Sequence, residues 1–320
     1  MEEKKERFLD GILRELCEEM DITLEKLSND WVLQLSKDGK VRHITRNHFD
    51  INPHSSSEIA DDKYATYEVL KSQKVPVIEH TILFNPAKMS RYVTEDGIWD
   101  TVAKEFSKHK CLVVKPNQGY EGEGIELCHT KKEVEKAIEK LFQTCLSISI
   151  CPYYNIETEY RTFYLNGQVH LIYGKNKPVV VGNGQATVEE LLADFNFPNR
   201  KAARDNLNAL DMTYIPEAGE RVEISWKHNL SGGSIPKVLE KGELYEKIEN
   251  LSIRAGKALN MNFATIDIIQ TVDGKLYVME ANAGICAELF SKVVEGGYET
   301  AKEIYRKALI AMFNNKKDEI

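Results

Sequence analysis

The pair Asp273-Gly274, set between strand-like runs at 263–270 and 276–282, fixes a β-hairpin near the C-terminus of this 320-residue chain. Asp-Gly between such runs is a strong short-range hairpin signal, because a tight turn needs positive-φ positions that these residues tolerate. With a two-residue loop, Val272 faces Lys275, and counting back sets Asp267 directly opposite Glu280. Asn282 then shares a face with Glu280, since strand side chains alternate. Like charges facing each other across a ladder are destabilising, and a divalent cation held between them reverses that penalty. Three oxygen donors on one face suit Mg²⁺, whose shell is usually completed by phosphate oxygens. The hairpin is therefore expected to be half of a nucleotide–metal site built from Asp267, Glu280 and Asn282.

At this length the chain has room for two or three domains. Its net charge of −8 argues against a nucleic-acid or acidic-membrane partner, which would need clustered Lys and Arg. The charged start Met-Glu-Glu-Lys-Lys-Glu-Arg is followed by no apolar run, so no signal peptide is expected, and no stretch approaches membrane-spanning length. Six cysteines without Cys-x-x-Cys spacing read as free thiols, and the expected location is cytoplasmic.

Helical periodicity marks 6–20, 63–72, 131–142, 188–193, 244–259 and 298–313, the third opened by a Thr130/Glu133 capping box. Strands are expected at 31–35 and 41–44 around Asp38-Gly39, at 75–78, 111–115 and 124–128, and at 162–165 and 168–173 around Asn166-Gly167. Hairpins and helices interleave without regular strand–helix alternation, which favours an α+β architecture over a doubly wound parallel sheet.

Segment 113–125 places Lys115 at a strand end ahead of Gly119, Gly122 and Gly124. Glycines let backbone amides approach an anion where a Cβ would obstruct. The spacing G-x-x-G-x-G is neither a Walker loop nor a dinucleotide fingerprint. Taken alone, the segment reads equally well as a mobile surface turn, and Glu121 and Glu123 would repel phosphate. Lys63 at a helix start, Arg161 opening a strand and Asn229 in a turn have similarly bland alternatives. Trp31 and Trp226 read as packing residues, Cys286 as a small packed thiol. His54, His80 and His228 lack metal-ligand spacing and read as surface or hydrogen-bonded residues.

In chain order, Asp62-Lys63, Val114-Lys115-Pro116 with its glycine loop, Glu159-Tyr160-Arg161, Asn229-Leu230-Ser231-Gly232-Gly233, Ile266-Asp267-Ile268 and Met279-Glu280-Ala281-Asn282 resemble an ATP-grasp enzyme over 57–313. The resemblance is greatest to the ATP-grasp domains of cyanophycin synthetase and bifunctional glutathione synthetase. It implies two α+β subdomains clasping the nucleotide, at 57–152 and 153–320, the second with an insert at 182–226. A short helix-and-hairpin region would precede them at 1–56. Lys63, Lys115, Gly119, Gly122 and Gly124 would hold ATP phosphates, and residues 150–154 would meet adenine. Glu157 would stand in for a ribose-binding acid otherwise missing from the pattern. Asp267, Glu280 and Asn282 would hold Mg²⁺ or Mn²⁺, and Arg161 and Asn229 would stabilise an acyl phosphate and the oxyanion that follows. The implied activity is ATP-dependent joining of a carboxylate to an amine, an amino acid or peptide, with release of ADP and phosphate. The alternatives are a phosphotransferase and a catalytically idle nucleotide-binding module. Residues 1–56 are too few for the usual acceptor-binding domain, so a second protomer, a separate protein or the insert at 182–226 would complete the substrate surface. Asp267→Asn and Glu280→Gln are both expected to abolish turnover with the fold intact.

Overall fold

The computed structural model describes residues 6–93, 95–119, 122–193, 195, 207 and 210–314. Tyr120, Glu121 and much of the expected insert (194, 196–206, 208–209) lie outside the described residues.

Helix α1 (Phe8–Glu19) leads into a four-stranded antiparallel meander, β1 (Thr23–Leu27), β2 (Val32–Lys37), β3 (Lys40–Thr45) and β4 (His48–Phe49). Lys37 pairs with Lys40 across Asp38 and Gly39, both at positive φ, as the turn pair demands. This region is larger than a helix and one hairpin. Its Leu9, Ile12, Leu33, Leu35 and Ile44 share a buried core with Ile304, Tyr305, Ala308 and Leu309 of the last helix. Helices α2 (His54–Asp61) and α3 (Lys63–Ser72) follow.

A second antiparallel sheet runs in the order β5 (Thr81–Phe84), β8 (Ser147–Pro152), β6 (Leu112–Pro116), β7 (Glu126–Cys128). Helices α4 (Gly97–His109) and α5 (Lys131–Phe142) cover one face, where Leu112, Val114, Ile148 and Ile150 pack on Val102, Val134 and Ile138. Period-2 alternation turns Val113, Lys115, Ser149 and Cys151 to the other face. The capping box at α5 is present as expected, Thr130 accepting from the Glu133 amide.

The largest sheet is antiparallel and five-stranded, ordered β13 (Ile235–Val238), β10 (Gln168–Asn176), β9 (Ile156–Leu165), β14 (Phe263–Thr271), β15 (Leu276–Asn282). One face packs on helix α7 (Glu243–Ala258), with Tyr164 lying so close to Gly256 that a Cβ there would fall 2.5 Å from the ring. The other face is divided along its length. Phe163, Leu165, Leu171, Tyr173 and Phe263 pack under α1, α8 (Glu288–Val293) and α9 (Gly297–Phe313), and the remaining stretch is polar. The apolar face of α9 is thus core rather than a free contact surface. Residues 60, 70 and 75, assigned by the sequence to the glycine-loop subdomain, pack instead with the α7 face of this sheet. Segment 75–78 contributes only an isolated bridge, Val77 to Val278, not a strand. A small two-stranded unit, β11 (Val179–Val181) with β12 (Arg221–Glu223), and α6 (Val188–Ala193) form a separate minor core between β10 and β13.

The Asp273-Gly274 turn differs from expectation in an instructive way. Thr271 bonds Lys275, so the loop has three residues, with Gly274 at φ +79°. That slips the register by one, and Gln270 faces Leu276. A bulge at Met279 slips it back, restoring Asp267 opposite Glu280. Among the described residues, no helix is long and apolar enough to cross a membrane.

Candidate functional site

The polar stretch of the five-stranded sheet faces the uncovered side of the second sheet across a cleft. Lys63, Lys115, Gly119 and Gly122 line it from one side, and Arg161, Asp267, Glu280 and Asn229 from the other. Six segments, the outermost more than two hundred residues apart in the chain, therefore converge on one space. Gly124, Glu157 and Asn282 are not part of that lining. A bulge at Glu157, where β9 passes Thr271, leaves its side chain exposed.

Local chemistry explains how each group is held. Asp62 caps α3, its Oδ1 accepting from the Ala65 amide at 2.8 Å while Oδ2 accepts from the Asn117 side chain at 2.6 Å. Asn117 in turn accepts from the Tyr64 amide, and the Lys63 ammonium donates to the Gly119 carbonyl at 3.2 Å. The N-terminus of α3 is thereby stitched to the root of the glycine loop, which puts Lys63 and Lys115 side by side. Burial lowers the Lys63 pKa, Glu280 opposes that, and Lys115 adds to it. Gly122 and Gly124 adopt φ of +73° and +69°. A Cβ on Gly122 would lie 3.1 Å from the Asn229 amide nitrogen, so the glycine allows the loop to approach the opposite wall. Asn229 itself is fixed by accepting from the Ser231 amide.

On the sheet side the charges form a buried chain. Arg161 Nε and Nη2 donate to the two Asp267 oxygens at 2.7 and 2.6 Å, a bidentate pair. The Lys175 ammonium bridges Asp267 and Glu159. Burial pushes the Asp267 carboxyl up, but Arg161 and Lys175 outweigh it and hold the group below the ordinary carboxylate range. Burial pushes Glu159 up to about 7 despite its contact with Lys175. Glu280, across the ladder from Asp267, is half-buried and makes no direct ion pair among the described residues. Five cations (Lys63, Lys115, Arg161, Lys175, Lys227) thus line the cleft with four carboxylates (Glu123, Glu159, Asp267, Glu280), a balance suited to a bound polyanion.

The donor set also fits a hard cation. Among the described residues no three His, Cys, Asp or Glu side chains are grouped to hold a metal by themselves. Two carboxylates opposite each other with phosphate oxygens completing the shell need no such group. Asn282 lies two residues beyond Glu280, and its buried Nδ2 has no partner, so the amide is uncommitted.

Glu159 and Lys175 were assigned no role from the sequence. The expected strand ended at Tyr173, but β10 continues to Asn176, and Lys175 extends the row Leu171, Tyr173. A lysine two residues beyond a buried apolar row was the available signal. Trp226 is not core packing but lines the cleft, edge-on to Tyr153 of the 150–154 segment at 6.4 Å. Trp31 is 48% exposed beneath the Arg46 guanidinium, and Cys286 is exposed. His80 is buried against the Ser149 hydroxyl and His228 against the Lys175 carbonyl.

Two lobes closing on a cleft, one with a lysine-backed glycine loop and one with paired carboxylates on a hairpin, define the ATP-grasp fold. No protein-family model matches the chain. It is similar to cyanophycin synthetase of Nostoc sp., 27% identical over 232 residues that cover 67% of this chain and 24% of that protein. It is also similar to the glutathione biosynthesis bifunctional protein GshAB of Clostridium perfringens, 23% identical over 285 residues, covering 82% and 34% respectively. The chain thus spans about a quarter to a third of the length of these relatives. Among solved structures it superposes on D-alanine–D-alanine ligase of Bacillus anthracis with a TM-score of 0.56 at 20% identity, covering 84% of this chain and 72% of that one.

Proposed function

We propose that the protein is an ATP-dependent carboxylate–amine ligase acting on an amino acid or peptide, with Mg²⁺ at Asp267, Glu280 and Asn282 and ATP supplied by the cytoplasm. The observation that carries this reading is the convergence of Lys63, Lys115, the glycine loop, Arg161, Asn229 and the Asp267/Glu280 pair on one cleft. A nucleotide in that cleft would direct its phosphates at the two lysines, beside Gly119 and Gly122 of the glycine loop. Mg²⁺ would neutralise charge on the transferring phosphoryl group. The substrate carboxylate would take the γ-phosphoryl, and the amine would then displace phosphate from the acyl carbon. Arg161 keeps N–H groups beyond the two that hold Asp267 and would face the acyl phosphate. Asn229 would donate to the oxyanion, a contact typically worth about 3 kcal/mol. The exposed Glu157 is a poor ribose partner, and Tyr153 and Trp226 at the mouth would bracket the nucleoside instead.

The test is release of ADP and phosphate from Mg-ATP with a panel of amino acids and dipeptides, the products read by mass spectrometry. ADP formation that needs both a carboxylate and an amine, with a condensed product, is the expected result. ADP formation with a phosphorylated hydroxyl and no amine consumed would establish the phosphotransferase instead. Nucleotide binding without turnover across the panel would contradict an active ligase.

A further inference from the structure

His228 is 3% exposed, lines the cleft, and presents one ring nitrogen without a partner. Its Nδ1 lies 2.8 Å from the Lys175 carbonyl oxygen. A carbonyl can only accept, so Nδ1 must carry the proton and a neutral ring has its lone pair on Nε2. That Nε2 is the buried, unpartnered atom. The imidazole is also well placed. Its neighbour Asn229 reaches the glycine loop at Gly122, and its anchor is the residue whose ammonium touches Asp267. It lines the same cleft as Lys63 and Lys115, which would hold the transferring phosphoryl, and as Asp267 and Glu280, which would hold the metal.

An amino-group nucleophile arrives in water as an ammonium, whose nitrogen has no free electron pair. A ligase therefore needs an acceptor for one proton before the C–N bond can form. The other carboxylates and cations of the cleft are poorly suited to accepting it. Asp267 is tied to two cations and Glu159 to Lys175, the lysines and Arg161 carry no acceptor, Glu280 would be committed to the cation, and Glu123 is exposed to solvent on the glycine loop. We propose that His228 Nε2 is the proton acceptor for the amine nucleophile, a reading that rests on the ligase function above. One ammonium proton moves to Nε2, and the freed pair attacks the acyl carbon. The C–O bond to phosphate then breaks, phosphate leaves with that electron pair, and the second surplus proton departs with it. The inference also narrows the substrate: the nucleophile is a basic amine that binds charged, rather than a non-basic amide nitrogen.

The setting keeps the ring neutral. Burial lowers the His228 pKa, the Lys175 carbonyl opposes this, Lys177 and Lys175 add to it, and Glu223 opposes it again. Lys227 precedes it directly in sequence, and Arg161, Glu159 and Asp267 share the cleft. A neutral imidazole is the form that can take a proton, so the acid limb of the pH–rate profile should fall below the ordinary histidine value of 6.5.

Two measurements test the proposal. Histidine ¹⁵N NMR of the ligand-free protein, assigned with His228→Gln, should show the Nδ1–H tautomer titrating below 6.5. An Nε2–H tautomer, or titration above that value, overturns the assignment. The second compares amine and hydroxylamine as nucleophiles, with Mg-ATP and the amino acid and dipeptide panel. Hydroxylamine is neutral near pH 7 and needs no base. In His228→Ala and His228→Gln the ratio of amide to hydroxamate should fall about 100-fold, with added imidazole partly restoring it in the alanine variant. Equal loss of both products would make His228 a structural residue, and an unchanged ratio would remove it from the reaction; either overturns the base. Wild-type protein that forms neither product would defeat the ligase reading itself, a failure distinguishable from that of His228 alone.

Discussion

Asp267→Asn unfolds at a clearly lower urea concentration than the wild type, with stability reduced by about 3 kcal/mol. The sequence alone led to the opposite expectation, that this variant would keep its fold. The correction comes from what Asp267 touches. Its side chain is fully buried, and its two oxygens accept from Arg161 and Lys175, which are themselves largely buried. Asparagine fills the same volume and can still accept one hydrogen bond, so little packing is lost. What disappears is the charge that compensates two cations in a poorly solvated sheet face, and removing one partner of a buried pair is what makes such sites fragile. Lys175 retains Glu159, which places the loss at the lower end of the usual range. The pH dependence follows from the sign of the shift. The folded pKa of Asp267 is depressed below its ordinary 3.8, so its contribution is complete above that pH and is lost as pH falls below it. The variant should lack this part of the acid dependence. A stability change under about 1 kcal/mol by urea titration would show that the pair is not holding the sheet face together.

Glu280→Gln behaves differently. Glu280 faces Asp267 across the ladder but is half-buried, with no direct ion pair among the described residues. Its removal leaves no buried partner uncompensated, and stability should stay within about 0.5 kcal/mol of wild type. Turnover should nonetheless fall by more than about 100-fold, because the cation loses the carboxylate not already tied to Arg161 and Lys175. Mn²⁺ affinity in the presence of ATP, read by paramagnetic resonance, should weaken in parallel. Retained activity with retained Mn²⁺ binding would remove the metal assignment. The two hairpin carboxylates are thus equivalent by pattern and unequal in energetics: one belongs as much to the fold as to the site.

That contrast shows which features were legible in the chain. The carboxylate register was recoverable, although by two errors that cancel. The turn has three residues rather than two, and the Met279 bulge returns Asp267 to Glu280. Bulges leave little trace in a sequence, because their signal is one unpaired residue among similar neighbours. Helices with strong local signals were found at their true limits: Lys63–Ser72 begins at the Asp62 cap and Lys131–Phe142 at its capping box. The missed helices, His54–Asp61, Gly97–His109 and Glu288–Val293, have no side-chain cap hydrogen bond to announce them. In the cleft, the positions of residues carried by a single local motif were legible, such as Gly119, Gly122 and Lys115. Glu159, Lys175 and His228 were not. Their significance lies in partners brought by long-range pairing: Lys175 meets Asp267 92 positions away, and His228 meets a carbonyl 53 positions back. Glu157 was favoured for its type and proximity, and a bulge that the sequence does not announce turns it to solvent.

Everything proposed for this cleft depends on ATP activating a carboxylate by phosphorylating it. With the substrate pair identified by the panel, the carboxylate partner is supplied with ¹⁸O in both oxygens, and the released phosphate is analysed by mass spectrometry. Attack on the γ-phosphoryl carries one labelled oxygen into the phosphate, so nearly every phosphate formed with product should bear it. Phosphate without label, formed at the same rate as a condensed product, would rule out an acyl phosphate and with it the proposed ligase chemistry.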